Sequence, residues 1–109
     1  MLIYKILRTP EWVALCEAGE SDGAPIDVAD GYIHFSTATQ AQETTDKHFA
    51  GEPDLMVLAV ETEPLGAALV WEPSRGGQLF PHLYRRLRLS DVRWARAMGA
   101  GNTMPEGVV

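Results

Sequence analysis

A single cysteine, Cys16, rules out an internal disulfide and makes a reducing, cytoplasmic compartment the natural expectation. No apolar run approaches the roughly 20 residues needed to span a bilayer, so no membrane partner is expected. The start, Met1-Leu2-Ile3-Tyr4-Lys5, lacks the charged leader, long apolar stretch and cleavage site of a secretory signal. Positive charge is scarce. Nine Lys and Arg stand against fifteen Asp and Glu, and the net charge of −6 argues against non-specific nucleic-acid binding. Internal repeats and low-complexity segments are missing, and so are a P-loop, a dinucleotide fingerprint and a G-x-S-x-G elbow. His34, His48, His82 and Glu72 match no metal-ligand spacing, so no metal is expected. What remains is 109 residues, 46% hydrophobic and 22% charged, the composition of one ordinary globular domain.

Local patterns place the elements. Leu2 to Leu7 is a short apolar run that suits a central strand buried on both faces. Thr9-Pro10-Glu11 reads as a capped helix start, Trp12, Leu15 and Cys16 share a face, and Gly19 is a stop. On that pattern Cys16 is a small core residue. Residues 19–31, rich in acids, Gly and Pro, form a loop long enough to act as a lid. Gly31 to Thr37 is a second strand running into a helix, with Thr37 and Gln40 at capping-box spacing and His48 in its last turn, a structural position. Asp54 to Glu61 is the clearest strand, and further strands fall over 67–72, 78–84 and 89–96. The pattern predicts an α+β domain over residues 1–98, with two early helices and a mixed sheet, and a disordered tail over 99–109.

The chemistry concentrates in Trp71-Glu72-Pro73-Ser74-Arg75-Gly76-Gly77-Gln78-Leu79-Phe80-Pro81-His82-Leu83-Tyr84. Gly76 and Gly77 permit positive φ or close backbone approach to a ligand, and Arg75 offers a five-donor fork for carboxylate or phosphate. In an extended 78–84, Phe80, His82 and Tyr84 share one face. His34 and Ser36 likewise share a polar face just before Thr37 and the free N–H groups of a helix start, a place for an anion. The candidate ligand-binding residues are therefore His34, Ser36, Thr37, Arg75, Gly76, Gly77, His82 and Tyr84. Candidate catalytic residues are His34, Glu72 and His82. Glu72 is a general base if buried, although pairing with Arg75 across the turn is the plainer expectation.

Six of the nine basic residues lie between 75 and 96, all arginine. A local positive field on an acidic protein suits a small anionic ligand in a cleft. The alternative is a non-catalytic interaction module docking an acidic partner through these arginine-rich strands. The plainest reading makes the arginines partners of the acidic first half and His34, Trp71, His82 and Tyr84 a satisfied core network.

The segments Asp30-Gly31-Tyr32-Ile33-His34-Phe35-Ser36-Thr37-Ala38, Trp71 to Gly77 and Phe80-Pro81-His82-Leu83-Tyr84 resemble a domain-of-unknown-function family of small bacterial and plant proteins. The resemblance runs from about Ile3 to Arg96. That family is grouped by fold with ADP-ribosyltransferases, NAD-using proteins with a split mixed sheet. Ile33-His34-Phe35-Ser36 is similar to the His-containing strand motif of RNA 2′-phosphotransferases, which also use NAD. The resemblance implies an ADP-ribosylation-like fold, NAD as the cofactor and a nucleotide-like ligand of NAD or ADP-ribose type. His34 and Ser36 would hold one end, Arg75 and the Gly76-Gly77 backbone the phosphates, and His82 or Tyr84 would stack or donate. Turnover is not implied, because the first strand offers only Tyr4 and Lys5 where ADP-ribosyltransferases carry His or Arg. Relatives continue Tyr-Gly-Pro-Leu where this chain has Tyr84-Arg85-Arg86-Leu87.

Overall fold

The first strand, β1 (Leu2–Arg8), is buried from Ile3 to Leu7, as an apolar run with no polar alternation requires. A computed structural model describes residues 1–108, the side chain of Arg75 excepted. β1 pairs antiparallel with β4 (Leu55–Glu61), Leu2 facing Glu61 and Arg8 facing Leu55. On its other side β4 pairs with β8 (Val92–Ala97), giving the sheet order β1-β4-β8. The strand expected over 89–96 begins later, because a short 3-10 turn over Leu89–Asp91 leads into β8.

Helix α1 (Thr9–Ala18) follows β1 without a loop. Pro10 occupies its first turn, and Gly19 ends it at φ 79°, donating its N–H to the Leu15 carbonyl. Two expectations here are corrected. Thr9 is already helical and its hydroxyl donates to the Asp54 carbonyl at 2.5 Å instead of capping the helix. Cys16 is exposed: α1 lays only a narrow stripe, Trp12 and buried Leu15, on the core, and Cys16 lies a further 100° round from Leu15.

The expected loop over 19–31 is also corrected. It contains β2 (Glu20–Ser21), paired antiparallel with β7 (Leu87–Arg88), and a six-residue helix, α2 (Pro25–Asp30). The residues that suggested a loop are the helix's own punctuation. Pro25 is at its start, Asp27 in its first turn accepts the Ala24 N–H at 2.7 Å, and Gly31 closes it at φ 84°. Six residues are too few to show a 3.6-residue period, so composition dominated the reading.

β3 (Ile33–His34) is shorter than expected, but the chain stays extended beyond it. Phe35 donates to the Pro81 carbonyl, and Ser36 exchanges two backbone hydrogen bonds with Tyr4, at 2.8 and 2.9 Å. β3 pairs with β6 (Leu79–Leu83), which pairs in turn with β5 (Leu69–Pro73), so the second sheet runs β3-β6-β5. Segment 33–36 therefore begins in one sheet and ends against the edge of the other. Among the described residues every ladder is antiparallel, where a mixed sheet was expected; the α+β class holds. Helix α3 (Ala38–His48) starts as predicted, with the Gln40 side chain accepting the Thr37 N–H at 3.1 Å.

The main core gathers β1, α1, β3, β4 and β6 around Leu7, Leu15, Phe35, Leu58 and Leu83. A smaller cluster of Tyr4, Val57 and Ala59 is covered by Trp94, Met98, Met104 and Val108. The tail expected to be disordered is what covers it. Tyr4 donates its hydroxyl to the Gly107 carbonyl at 3.2 Å, and Arg96 lies 4.3 Å over Trp94 while donating to the Glu106 carbonyl at 2.5 Å. Met104 and Val108 find an apolar surface there that would otherwise face water. Among the described residues no helix is long and apolar enough to cross a membrane.

Candidate functional site

A cavity of about 680 Å³ opens beside the bridge between the two sheets, within the size range of small-molecule sites. Lys5 and Arg8 line it from β1, His34 and Ser36 from segment 33–36, and Phe80 and His82 from β6; Tyr32 and Asp30 complete that wall. Strand alternation accounts for the pairing of the histidines. His34 faces His82 directly in the β3–β6 register, and their ring centres lie 5.4 Å apart.

The deeper part of the site is built on Asp27, whose side chain is fully buried. Its carboxylate accepts from Lys5 Nζ at 2.7 Å, from the Ala24 N–H at 2.7 Å and from the His34 N–H at 3.0 Å. His34 Nδ1 approaches it at 2.6 Å. Gly23 packs so closely, at φ 93°, that a Cβ there would strike the Asp27 side chain. Burial by itself would raise the Asp27 pKa; the hydrogen bond from His34 and the charge of Lys5 outweigh it and hold Asp27 below its ordinary 3.8. Burial pulls Lys5 below 10.5, and the Asp27 charge restores only part of that. The imbalance has a geometric cause: the carboxylate collects four donors, whereas Lys5 is satisfied by Asp27 alone among the described contacts. His34 Nε2 also faces a carboxylate, Asp30 Oδ2 at 2.9 Å. His34 is thus bound to this chain's own acids at both ends.

His82 is held differently. Its side chain is 4% exposed, and Nδ1 lies 2.8 Å from Glu72 Oε1. The same oxygen accepts the Tyr84 hydroxyl at 2.6 Å. Glu72 is correspondingly held below the ordinary carboxylate range, first by the Tyr84 hydrogen bond and then by that from His82. Tyr84 is pushed up to about 12, chiefly by its hydrogen bond to Glu72. Tyr32 stacks on the His82 ring at 4.1 Å and also contacts His34 and Tyr84, at 4.7 and 5.3 Å. Partial burial and the nearby Asp30 and Glu72 charges keep the Tyr32 phenol above its ordinary range.

The structure sorts the residues singled out from sequence. His34, Ser36 and His82 line the cavity. Tyr84 and Glu72 stand behind His82, with Glu72 engaged by His82 and Tyr84. Thr37 caps α3, and Gly76 and Gly77 lie in a 3-10 turn at φ 64° and 76°; none of the three lines the cavity, which extends to Ser74. The Arg75 side chain, and with it the expected Arg75 role, lies outside the described residues. Sequence reasoning missed Lys5, Arg8, Asp27, Asp30 and Tyr32. A lysine in the middle of an apolar strand was the one available signal, since Lys is rarely buried unpaired. The arginine cluster is not a free field. Arg85 forks onto Asp91 at 2.9 and 3.1 Å, Arg86 reaches Glu20 at 2.7 Å and Asp22 at 3.0 Å, and Arg93 reaches Glu61 at 3.4 Å. Among the described residues no three His, Cys, Asp or Glu side chains are grouped to hold a metal ion.

A family model described as a protein of unknown function (DUF952) matches residues 6–95. The chain belongs to this family. The DUF952 domain is similar to the crystal structure of protein CC0527 from Caulobacter crescentus, with 50% identity and a TM-score of 0.88 over 94% of this chain and 92% of that one. A double mutant of CC0527 matches at 48% identity with the same TM-score and coverage. The solution NMR structure of CC0527 matches at 50% identity and a TM-score of 0.80, over 93% and 89% of the two chains. Among curated proteins, none matches.

Proposed function

We propose that this DUF952 domain binds a small, anionic, nucleotide-like ligand of the NAD or ADP-ribose type in the cavity beside the inter-sheet bridge. One observation carries the reading: a 680 Å³ cavity whose wall combines the rings of Tyr32 and Phe80 with His34, His82, Ser36, Lys5 and Arg8. Aromatic faces suit a base or nicotinamide ring, and a few convergent polar groups orient a ligand within an otherwise apolar pocket. Ser74 lines the cavity and adjoins the 75–77 turn, which is the place for phosphate. Two sheets joined through one backbone bridge accord with the split sheet of the ADP-ribosylation group, which makes NAD the cofactor to try first. The reading is of binding, and no transfer step is assigned to it. Docking of an acidic partner has less support, because Arg85, Arg86 and Arg93 already meet acids of this chain.

The test is thermal stability of the wild type and of Arg75→Ala and His82→Gln variants against NAD, ADP-ribose, AMP and inorganic phosphate. A ligand at about 100 times its Kd stabilises the native state by about 2.7 kcal/mol. A concentration-dependent rise with NAD or ADP-ribose, weakened in both variants, is the expected result. No rise with any of the four compounds sinks the proposal.

A further inference from the structure

The two histidines of the cavity look equivalent in sequence and differ in what they leave unpaired. His34 presents each ring nitrogen to a carboxylate, Asp27 at 2.6 Å and Asp30 at 2.9 Å. His82 presents only Nδ1, to Glu72 at 2.8 Å; among the described residues Nε2 has no protein partner, although the side chain is 96% buried and lines the cavity. A buried polar atom of this kind calls for a partner. Glu72 is an acceptor, already taking the Tyr84 hydroxyl at 2.6 Å, so the hydrogen between it and His82 belongs to Nδ1. In neutral His82 the lone pair is then on Nε2.

The other charged groups at the cavity are spoken for. Lys5 is paired with Asp27, and Arg8 with Glu52 at 2.7 Å and Glu11 at 3.3 Å. A phosphate placed against the Tyr32–His82 wall would meet an acceptor nitrogen backed by a carboxylate, an unfavourable pairing of electron-rich groups. An uncharged O–H would meet a fixed lone pair, with the ring held by the Tyr32 stack and the Glu72–Tyr84 bond.

We infer that His82 accepts a hydrogen bond through Nε2 from a neutral hydroxyl of the ligand, and that the Tyr32–His82 wall seats the hydroxyl-bearing part of that ligand and not its phosphates. The inference rests on the cavity being the binding site. It assigns Glu72 and Tyr84 as positioning residues that set the tautomer of His82.

Long-range ¹H–¹⁵N NMR of the whole chain at pH 8 tests it, with ADP-ribose and inorganic pyrophosphate as probes. The chain has three histidines, so the spectrum of His82→Gln identifies the His82 nitrogens. If that variant fails to fold, His34→Gln and His48→Gln identify them by elimination. The free protein should show His82 protonated at Nδ1 alone. ADP-ribose should move the Nε2 resonance with the ring still singly protonated, and pyrophosphate should leave it in place. Binding of ADP-ribose should weaken about tenfold in His82→Gln, the loss of one buried hydrogen bond. A free protein with Nε2 protonated overturns the inference, as does pyrophosphate shifting His82 with both nitrogens protonated. ADP-ribose that raises the melting temperature without moving Nε2 removes the contact and leaves the binding site standing. If neither probe binds, the site and the contact fall together.

Discussion

Replacing Asp27 with alanine would put the largest single strain on this fold. The substitution removes the acceptor of Lys5 Nζ at 2.7 Å, of His34 Nδ1 at 2.6 Å and of the Ala24 and His34 N–H groups at 2.7 and 3.0 Å. Lys5 is 5% exposed in the middle of β1, so its ammonium would be left largely buried without its partner. Removing one partner of a buried pair costs about 3–5 kcal/mol, and the orphaned backbone donors work in the same direction. A chain of this size has a total stability of about 5–15 kcal/mol, so Asp27→Ala should lose a large fraction of it. Urea unfolding at pH 7, followed by tryptophan fluorescence, measures the loss directly. The companion Lys5→Met,Asp27→Ala double variant removes both charges and should recover part of it, with a coupling of about 2–3 kcal/mol. A cost below about 1 kcal/mol for Asp27→Ala, or strict additivity in the double variant, would refute the argument that this ion pair is buried and mutually dependent.

Other expectations follow from the same contacts. Asp27 titrates below 3.8 in the native state, so below about pH 4 the unfolded chain takes up its proton first and stability falls with pH; Asp27→Asn should flatten that acid limb in a pH-unfolding profile. Tyr84 is pushed up to about 12 by Glu72, so its ring should remain un-ionised at pH 11 by NMR, and Glu72→Ala should bring its titration down. Cys16 is exposed, so a thiol reagent should add one equivalent to the native chain by mass spectrometry; labelling only after unfolding would place it in the core.

Much of the frame was legible in the sequence wherever a signal lay within a few consecutive residues. The apolar runs of β1 and β4, the glycine that stops α1, the Thr37–Gln40 box and the shared side of His82 and Tyr84 depend on local backbone geometry alone. Tertiary structure decided the rest. Which face of α1 is buried depends on what packs on it, and Cys16 fell outside the narrow stripe. Met104 and Val108 settle only because β1 and β4 offer them Tyr4, Val57 and Ala59. The Lys5–Asp27 pair, the stacking of Tyr32 on His82 and the engagement of Glu72 by His82 and Tyr84 all join residues from different elements. Periodicity reports which way a side chain leaves its own strand or helix. It carries no information about which distant side chain it meets, and the hydrogen-bond partners of His34 and His82 are set by those meetings.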